Sequence, residues 1–165
     1  MVREQAVVET DTTESFAQWV SPHLTAMTRL AGRMVPASDR DDVVQEALVR
    51  AWRRRSTYDH SRGTPATWLL AIVANCARRL RVRAPRDVPM DIPDSGSEQA
   101  MADLDLERAI RALPERERLA VSLYYFVGLD IAGTAEVMAC SAGTVKATLH
   151  HARARLRRQL GEGDV

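Results

Sequence analysis

The chain has 165 residues, of which 45% are apolar and 27% are charged, as expected for one or two small globular domains. No apolar run approaches the roughly 20 residues of a membrane span, so we expect no membrane insertion. Residues 1–15 are polar and acidic, which disfavours a secretory signal and favours a cytoplasmic protein. Cys76 and Cys140 lie far apart and make no disulfide framework, so we interpret them as thiols buried in helices.

The net charge of +1 conceals blocks of opposite sign. Residues 1–15 carry −3, residues 16–84 carry +7, residues 85–103 carry −4 and residues 104–165 carry +1. The basic block favours a polyanionic partner. We therefore predict a flexible N-terminus (1–15), a basic domain (16–84), an acidic linker (85–103), a second domain (104–160) and a short tail (161–165).

Apolar residues recur with helical spacing, and alternating β-branched runs are missing. The sequence thus predicts an all-α fold of two small helical domains joined by a flexible linker. In the first domain, residues 15–34 form one predicted helix, with Leu24 on its apolar face. Ser38 and Asp39 can cap a second helix, and Pro65 suits the first turn of a third.

Turn-forming residues separate these helices from the rest of the chain. The segment 56–64 is a predicted loop, and the prolines and acids of the linker break the helical pattern. Helical spacing resumes at Leu104. Pro114 ends one helix and starts the next, and Gly128 marks a further break.

Residues 130–160 have the pattern of a helix-turn-helix. A short first helix is followed by the small residues 139–141, and Ser141 is a good N-cap for the second helix. Apolar residues at positions 145, 149, 152, 156 and 160 form its inner stripe. The opposite face is small and polar at first and strongly basic later, which suits base edges and then phosphates. The pattern predicts that this helix lies in a DNA major groove.

Two sets of motifs resemble extracytoplasmic-function sigma factors of the sigma-70 family. Ala-Leu-Pro-Glu-Arg-Glu-Arg (112–118), Gly-Leu-Asp-Ile (128–131), Cys-Ser-Ala-Gly-Thr-Val-Lys (140–146) and His-His-Ala-Arg-Ala-Arg-Leu (150–156) resemble region 4. Asp-Arg-Asp-Asp-Val-Val-Gln-Glu-Ala-Leu-Val-Arg-Ala-Trp-Arg (39–53), Tyr-Asp-His-Ser-Arg-Gly-Thr (58–64) and Trp-Leu (68–69) resemble region 2. Together they span most of the chain, from Phe16 to Leu160.

The resemblance implies a protein without catalysis, cofactor or metal that directs RNA polymerase to promoters. Region 4 would read the −35 element with Thr144, Lys146, Ala147, Thr148, His150, His151, Arg153 and Arg155. Region 2 would capture and hold the melted −10 strand with Tyr58, Asp59, His60, Arg62, Asn75, Arg78, Arg79 and Arg81. The implied contacts with the largest subunits of core polymerase are Asp41, Asp42, Gln45, Glu46, Arg50 and Trp52. The implied regulator is an anti-sigma factor.

Residue chemistry supports these roles, with qualifications at particular positions. Flipped bases need stacking faces and single strands need a basic track, which Tyr58 and the arginines supply. For Trp52 and Trp68 we favour core packing. The recognition helix has Ala147, Thr148 and His151 where the family usually has one serine and two arginines, which predicts weaker phosphate anchoring. Gly133 and Thr134 also lie where stronger helix formers are usual.

Two other functions remain open at this stage. A stand-alone, dimeric helix-turn-helix regulator would not need residues 39–69. A metal-dependent nuclease could use the clustered carboxylates Asp41, Asp42 and Glu46, although the adjacent His150 and His151 diverge on a helix and no ligand-spacing motif is present.

Overall fold

The computed structural model describes residues 12–83 and 98–161, and within these ranges all regular structure is helical. The predicted all-α fold is thus confirmed. The α-helices are α1 (Thr13–Val20), α2 (Leu24–Met34), α3 (Arg40–Arg53), α4 (Pro65–Arg83), α5 (Glu98–Ala112), α6 (Glu115–Val121), α7 (Ile131–Met138) and α8 (Ala142–Gln159). Among these described helices, none has the length and apolarity needed to cross a membrane. Most of the predicted linker falls in 84–97, outside the described residues.

The first predicted helix is two helices rather than one. Helix α1 begins with a capping box, in which the Thr12 and Ser15 hydroxyls accept hydrogen bonds from each other's backbone N–H at 3.2 and 3.3 Å. The prediction of a continuous helix over 15–34 is wrong, because Ser21–His23 form a 3₁₀ turn. Pro22 lies in that turn and lacks the N–H that an α-helix needs. Leu24, predicted on the apolar face, is 38% exposed as a result.

Helices α2, α3 and α4 enclose the core of the N-terminal half. Val43, Ala47 and Ala51 are buried along one face of α3, as the spacing predicts. Asp39 occupies the N-cap position of α3, but its side chain makes no capping hydrogen bond, which corrects the predicted Ser38–Asp39 cap. Helix α4 begins at Pro65 as predicted, where the Thr64 hydroxyl accepts a hydrogen bond from the Thr67 N–H at 3.2 Å.

The C-terminal half begins earlier than predicted. Helix α5 starts at Glu98, six residues before Leu104. Residues 98–102 are Glu, Gln, Ala, Met and Ala, all good helix formers, and an acid is stabilising at a helix N-terminus. Pro114 separates α5 from α6 as predicted, and Ser122–Val127 form a π-helix that ends at Gly128. Gly128 has φ of +86°, a left-handed conformation that favours glycine.

The two halves pack against each other. Their buried apolar side chains form one continuous cluster, in which α4 contacts α7 and α2 contacts the π-helix. The Arg33 guanidinium carbon lies 3.5 Å from the centre of the Phe126 ring and forms an ion pair with Glu107. Arg29 donates a hydrogen bond to the Phe126 carbonyl at 3.3 Å. Two arginines of α2 thus bind the C-terminal half of the chain.

We predict that Gly128→Ala lowers the free energy of unfolding by about 1–2 kcal/mol, because a Cβ is strained in the left-handed conformation. No heavy atom lies within 4 Å of the added Cβ, so backbone strain accounts for the loss. The control is Gly143→Ala in helix α8, where the nearest atom to the added Cβ is Ser141 Oγ at 3.8 Å. That variant should gain up to about 1 kcal/mol. Urea unfolding followed by circular dichroism measures both, and equal effects at the two positions would contradict the prediction.

Candidate nucleic-acid interface

The helix-turn-helix predicted at 130–160 is present as α7, a three-residue turn and α8. Asp130 caps α7 by accepting a hydrogen bond from the Gly133 N–H at 2.7 Å, and Ser141 caps α8 by accepting one from the Thr144 N–H at 3.1 Å. Between them, Ala139 adopts the left-handed conformation with φ of +51°. The capped turn therefore fixes the direction in which α8 leaves α7.

Helix α8 presents one polar face to solvent. Val145, Leu149 and Ala152 are buried beneath it, whereas Leu160 is 39% exposed and does not continue the predicted stripe. Six of the predicted −35 residues are exposed: Thr144, Lys146, Ala147, His150, His151 and Arg153. They form a continuous surface that is free to approach a DNA groove.

The remaining two predicted −35 residues are held within the chain. The Thr148 hydroxyl donates a hydrogen bond to the Thr144 carbonyl at 2.8 Å. Arg155 donates to both carboxylate oxygens of Glu117 on α6, at 3.0 and 3.4 Å. Because Glu117 neutralises it, Arg155 offers less charge to DNA than its position in the sequence predicted.

Tyr125 is a neighbour of α8 that sequence reasoning missed. Its side chain is 50% exposed, and its hydroxyl accepts a hydrogen bond from Arg153 at 3.3 Å. The two residues are far apart in the sequence and share no motif, so no local signal could have paired them. Tyr125 extends the polar surface of α8 with an aromatic ring.

The predicted −10 loop is folded around Tyr58. Its hydroxyl donates a hydrogen bond to the Gly63 carbonyl at 3.1 Å and lies 3.1 Å from His60 Nδ1. Asp59 accepts hydrogen bonds from the Ser61 hydroxyl and N–H, both at 2.8 Å. These bonds from Ser61 lower the pKa of the Asp59 carboxyl, so the group is ionised at neutral pH.

Aromatic side chains line a cavity behind this loop. The Tyr58 ring centre lies 5.3 Å from that of Trp19 and 5.5 Å from that of Trp68. Trp68 packs against the core, as predicted, and it also lines the cavity, which the sequence did not indicate. The complete lining is Thr57, Tyr58, Asp59, Arg62, Gly63, Thr67, Trp68, Ala71 and Glu136. Eight of these residues belong to the N-terminal half, and Glu136 comes from α7.

The predicted basic track follows α4 away from the loop. Asn75, Arg78 and Arg79 are exposed, and Arg78 donates a hydrogen bond to the Asn75 side chain at 3.4 Å. Arg81 differs from its neighbours, because it is half-buried and lies 3.7 Å from a carboxylate oxygen of Glu115 on α6. Three of the four predicted track residues are therefore open to a nucleic acid strand, while the fourth faces the other half of the chain.

The predicted polymerase contacts share helix α3. Asp41, Asp42, Gln45 and Glu46 are exposed. Arg50 donates a hydrogen bond to Glu46 at 2.6 Å, and this bond lowers the pKa of the Glu46 carboxyl. Trp52 is half-buried, with its ring centre 5.2 Å from that of Phe16, in agreement with the core packing that we favoured.

The two cysteines differ in accessibility. Cys76 is buried on α4, and burial raises the pKa of its thiol, whereas Cys140 is half-buried, less than predicted. Both are free thiols. In residues 12–83 and 98–161, no three His, Cys, Asp or Glu side chains are grouped so that they could hold a metal ion.

Comparison with known proteins assigns both halves. Residues 19–86 match the family model of sigma-70 region 2, and residues 103–156 match that of sigma-70 region 4. The RNA polymerase sigma-E factor of Streptomyces coelicolor is 32% identical over 157 residues, covering 91% of this chain and 88% of that protein. This chain belongs to the extracytoplasmic-function sigma factors of the sigma-70 family.

One further relative supports this assignment, and one solved structure shares the fold. The extracytoplasmic-function RNA polymerase sigma-E factor of Escherichia coli K12 is 34% identical over 146 residues, with 75% of each chain covered. The sigma factor RpoE of Bartonella quintana, solved in complex with the anti-sigma factor NepR, has the same fold, with a TM-score of 0.73 at 22% identity. That comparison covers 92% of this chain and 99% of the Bartonella protein.

Membership in this family decides between the functions left open by the sequence. A sigma factor directs promoter-specific transcription initiation by RNA polymerase. A stand-alone helix-turn-helix regulator would not need the region 2 that residues 19–86 match. The family is a class of transcription regulators rather than of nucleases.

We predict that Ser61→Ala raises the pKa of the Asp59 carboxyl in this sigma factor towards its ordinary value. The substitution removes the hydroxyl hydrogen bond, the larger cause of the lowered pKa, and keeps the backbone one. Carbon-13 NMR titration of the carboxyl measures the change. Ser38→Ala, on another exposed serine that precedes α3 and donates to Asp39 rather than Asp59, is the control and should leave the titration of Asp59 as it is. An unchanged pKa of Asp59 in Ser61→Ala would show that the Ser61 hydroxyl does not donate a hydrogen bond to the Asp59 carboxylate in solution.

Proposed function

We propose that helix α8 and the loop 56–64 around Tyr58 (the Tyr58 loop) act on one promoter. Helix α8 would read the −35 duplex, and the Tyr58 loop would hold a base of the melted −10 strand. The observation that carries this proposal is the presence, in one chain, of an exposed recognition helix and a separate aromatic cavity next to a basic track. Duplex readers place a helix in the major groove. Single strands are held by stacking and positive charge. Each surface has the chemistry for one of these forms of DNA.

The two ends of α8 carry different side chains, which supports different roles along the length of the helix. Lys146 and His150 are exposed in the half that follows the Ser141 cap, and both can hydrogen-bond base edges. Arg157 and Arg158 are exposed near the C-terminal end and are suited to phosphates. Phosphate contacts give affinity that falls with salt, whereas base contacts give sequence preference.

The Tyr58 loop is suited to an extruded base. Tyr58 and Trp68 offer ring faces in the cavity, and Arg62 and the ionised Asp59 offer a hydrogen-bond donor and an acceptor. A base lifted out of the stack needs both stacking and edge hydrogen bonds. Asn75, Arg78 and Arg79 on α4 would bind the backbone of the same strand.

The exposed acidic surface of α3 is proposed as the contact with the largest subunits of core polymerase. Asp42, Gln45 and Glu46 lie within one turn of each other and are exposed. Trp52 would contribute by packing α3 against α1 rather than by touching the polymerase. On this proposal the protein works in the cytoplasm, has no catalysis of its own and needs neither cofactor nor metal.

Control by an anti-sigma factor is part of the proposal. The Bartonella sigma factor of the same fold was solved with such a partner. In this chain, most of the acidic and basic side chains predicted to meet polymerase and DNA are exposed, so a protein that covers them would block both interactions. Arg50, Arg81 and Arg155 are the exceptions, because they form ion pairs within the chain.

The proposed roles are tested by transcription with purified core polymerase on promoters selected from a randomised library. Lys146→Ala should reduce discrimination at one −35 position by about 1–3 kcal/mol, which corresponds to roughly 5- to 150-fold.

Tyr58→Ala should leave duplex binding unchanged and reduce strand opening, read by permanganate reactivity of thymines, because each base stacked on an aromatic ring contributes about 1–3 kcal/mol.

Matched controls separate these roles from effects on folding. Arg108→Ala removes another exposed cation of the C-terminal half, and its ion pair is with Asp105 on the same helix, so −35 discrimination should not change. Tyr58→Phe keeps the ring and should restore strand opening to most of its original extent. If wild-type chain and core polymerase give no promoter-dependent transcript, the proposed function is wrong.

A further inference from the structure

The Tyr58 hydroxyl has two hydrogen-bond partners inside its own loop. It lies 3.1 Å from the Gly63 carbonyl oxygen and 3.1 Å from His60 Nδ1. Burial and the charge of Asp59 raise the pKa of Tyr58, so the hydroxyl keeps its proton at neutral pH. A hydroxyl has a single hydrogen to donate. The two contacts cannot both use it, so the hydroxyl oxygen must accept a hydrogen bond in one of them.

The Gly63 carbonyl decides which contact takes the Tyr58 hydrogen. A carbonyl oxygen can only accept, whereas Nδ1 of an imidazole can donate or accept. If the hydrogen pointed at His60, two oxygens would face each other at 3.1 Å with no hydrogen between them. The Tyr58 hydroxyl therefore donates to Gly63, and His60 Nδ1 carries a hydrogen that it donates to the Tyr58 oxygen.

This hydrogen bond fixes the chemistry of the other nitrogen of His60. A neutral imidazole carries one N–H, and the bond made by one nitrogen sets which of the two has it. With the hydrogen on Nδ1, Nε2 is a pure acceptor. The His60 ring stands edge-on to Tyr58, with ring centres 4.6 Å apart and planes at 71°, and it is exposed. The loop thus presents an acceptor to solvent from a side chain that is ambiguous when free.

The surroundings of His60 favour particular DNA bases. His60 lines a surface depression together with Arg62, whose guanidinium can only donate hydrogen bonds. Adenine and cytosine carry an exocyclic amine, which donates, beside a ring nitrogen that accepts. Guanine and thymine carry a carbonyl in the place of that amine. An acceptor on His60 and donors on Arg62 therefore complement the pairing edge of adenine or cytosine.

We propose that Tyr58 fixes the tautomer of His60, and that His60 Nε2 selects an extruded −10 base with an exocyclic amine, adenine or cytosine, over guanine or thymine. This inference rests on the proposed function of the Tyr58 loop. The Tyr58 ring and the Tyr58 hydroxyl then have separate roles, because the ring stacks on the base whereas the hydroxyl acts through His60. His60 touches the base, and the hydroxyl is a positioning group.

The tautomer is measured directly in the full chain by nitrogen-15 NMR at pH 8, at which histidine side chains are neutral. Ring nitrogens with and without hydrogen have well-separated chemical shifts. Wild-type His60 should carry its hydrogen on Nδ1. In Tyr58→Phe the acceptor is lost, so the ring should return to the form with hydrogen on Nε2, which is commoner in water. Tyr124→Phe is the matched control and should leave His60 unchanged. Hydrogen on Nε2 of wild-type His60 would overturn the inference.

The base preference is measured with the full chain bound to core polymerase. The probe is fork-junction DNA that carries a promoter selected from the randomised library, with its −10 element single-stranded. Each base is placed in turn at each single-stranded position. At one position adenine or cytosine should bind most tightly. Replacing that base by its analogue without the amine, purine or 2-pyrimidinone, should weaken binding by roughly 2- to 12-fold, the effect of one hydrogen bond.

Substitutions in the loop connect this preference to His60. His60→Asn can still bond to Tyr58 but has no group in the place of Nε2, so the amine should no longer affect binding. Tyr58→Phe should reduce the preference while strand opening is largely kept. His23→Asn, a change of a histidine in the turn before α2, is the control and should keep the wild-type preference.

Three results would overturn the inference at this stage. The first is a preference for guanine or thymine at every position. The second is a preference for the amine that persists in His60→Asn. The third is its loss in Glu136→Gln, since the Glu136 carboxylate lines the same depression and would then be the acceptor. Strand opening by Tyr58→Ala at the wild-type level would be a failure of the proposed function instead, whatever tautomer His60 has.

Discussion

The close packing of α7 against α4 sets how helix α8 is placed relative to the loop around Tyr58. A Cβ at position 133 would lie 3.7 Å from Thr67 Cγ2, an ordinary van der Waals distance, so α7 and the start of α4 approach each other closely here. This packing brings a residue of the C-terminal half, Glu136, to the cavity formed by the N-terminal half. It also leaves the outer face of α8 exposed to solvent while α7 lies against the loop around Tyr58.

The contacts show that part of the predicted basic charge is neutralised within the chain. The sequence predicted a strongly basic first domain that would face a polyanion, yet several of its arginines are engaged within the chain. Arg33 and Arg81 pair with acids of the C-terminal half, and Arg50 pairs with Glu46 on its own helix. In α8, Arg155 is likewise held by Glu117. Exposed basic side chains remain on α4 and along α8, and Arg53 and Arg54 at the end of α3 are exposed as well.

Local signals predicted the helices well, and long-range contacts were the part that they could not supply. Ser141, Pro65, Pro114 and Gly128 act on their own backbone, so their roles could be predicted from neighbouring residues. Pro22 is a signal of the same kind that was overlooked, and the helix over 15–34 was wrong for that reason. By contrast, the pairing of Arg155 with Glu117 and the place of Glu136 depend on how helices distant in sequence meet. Residue chemistry and family resemblance pointed to the loop and to α8 as candidate sites. Only the packing shows which of their side chains already form hydrogen bonds or ion pairs within the chain.

Arg33 joins the two halves of the chain into one packed body, and a double-mutant cycle tests this contact most directly. Arg33→Ala, Phe126→Leu and the combined variant are compared with wild type by urea unfolding. If the Arg33 guanidinium rests on the Phe126 ring in solution, the two substitutions are coupled by about 0.5–2 kcal/mol. If the two halves move independently, the free-energy changes add without coupling, and a coupling of zero would contradict the closed arrangement.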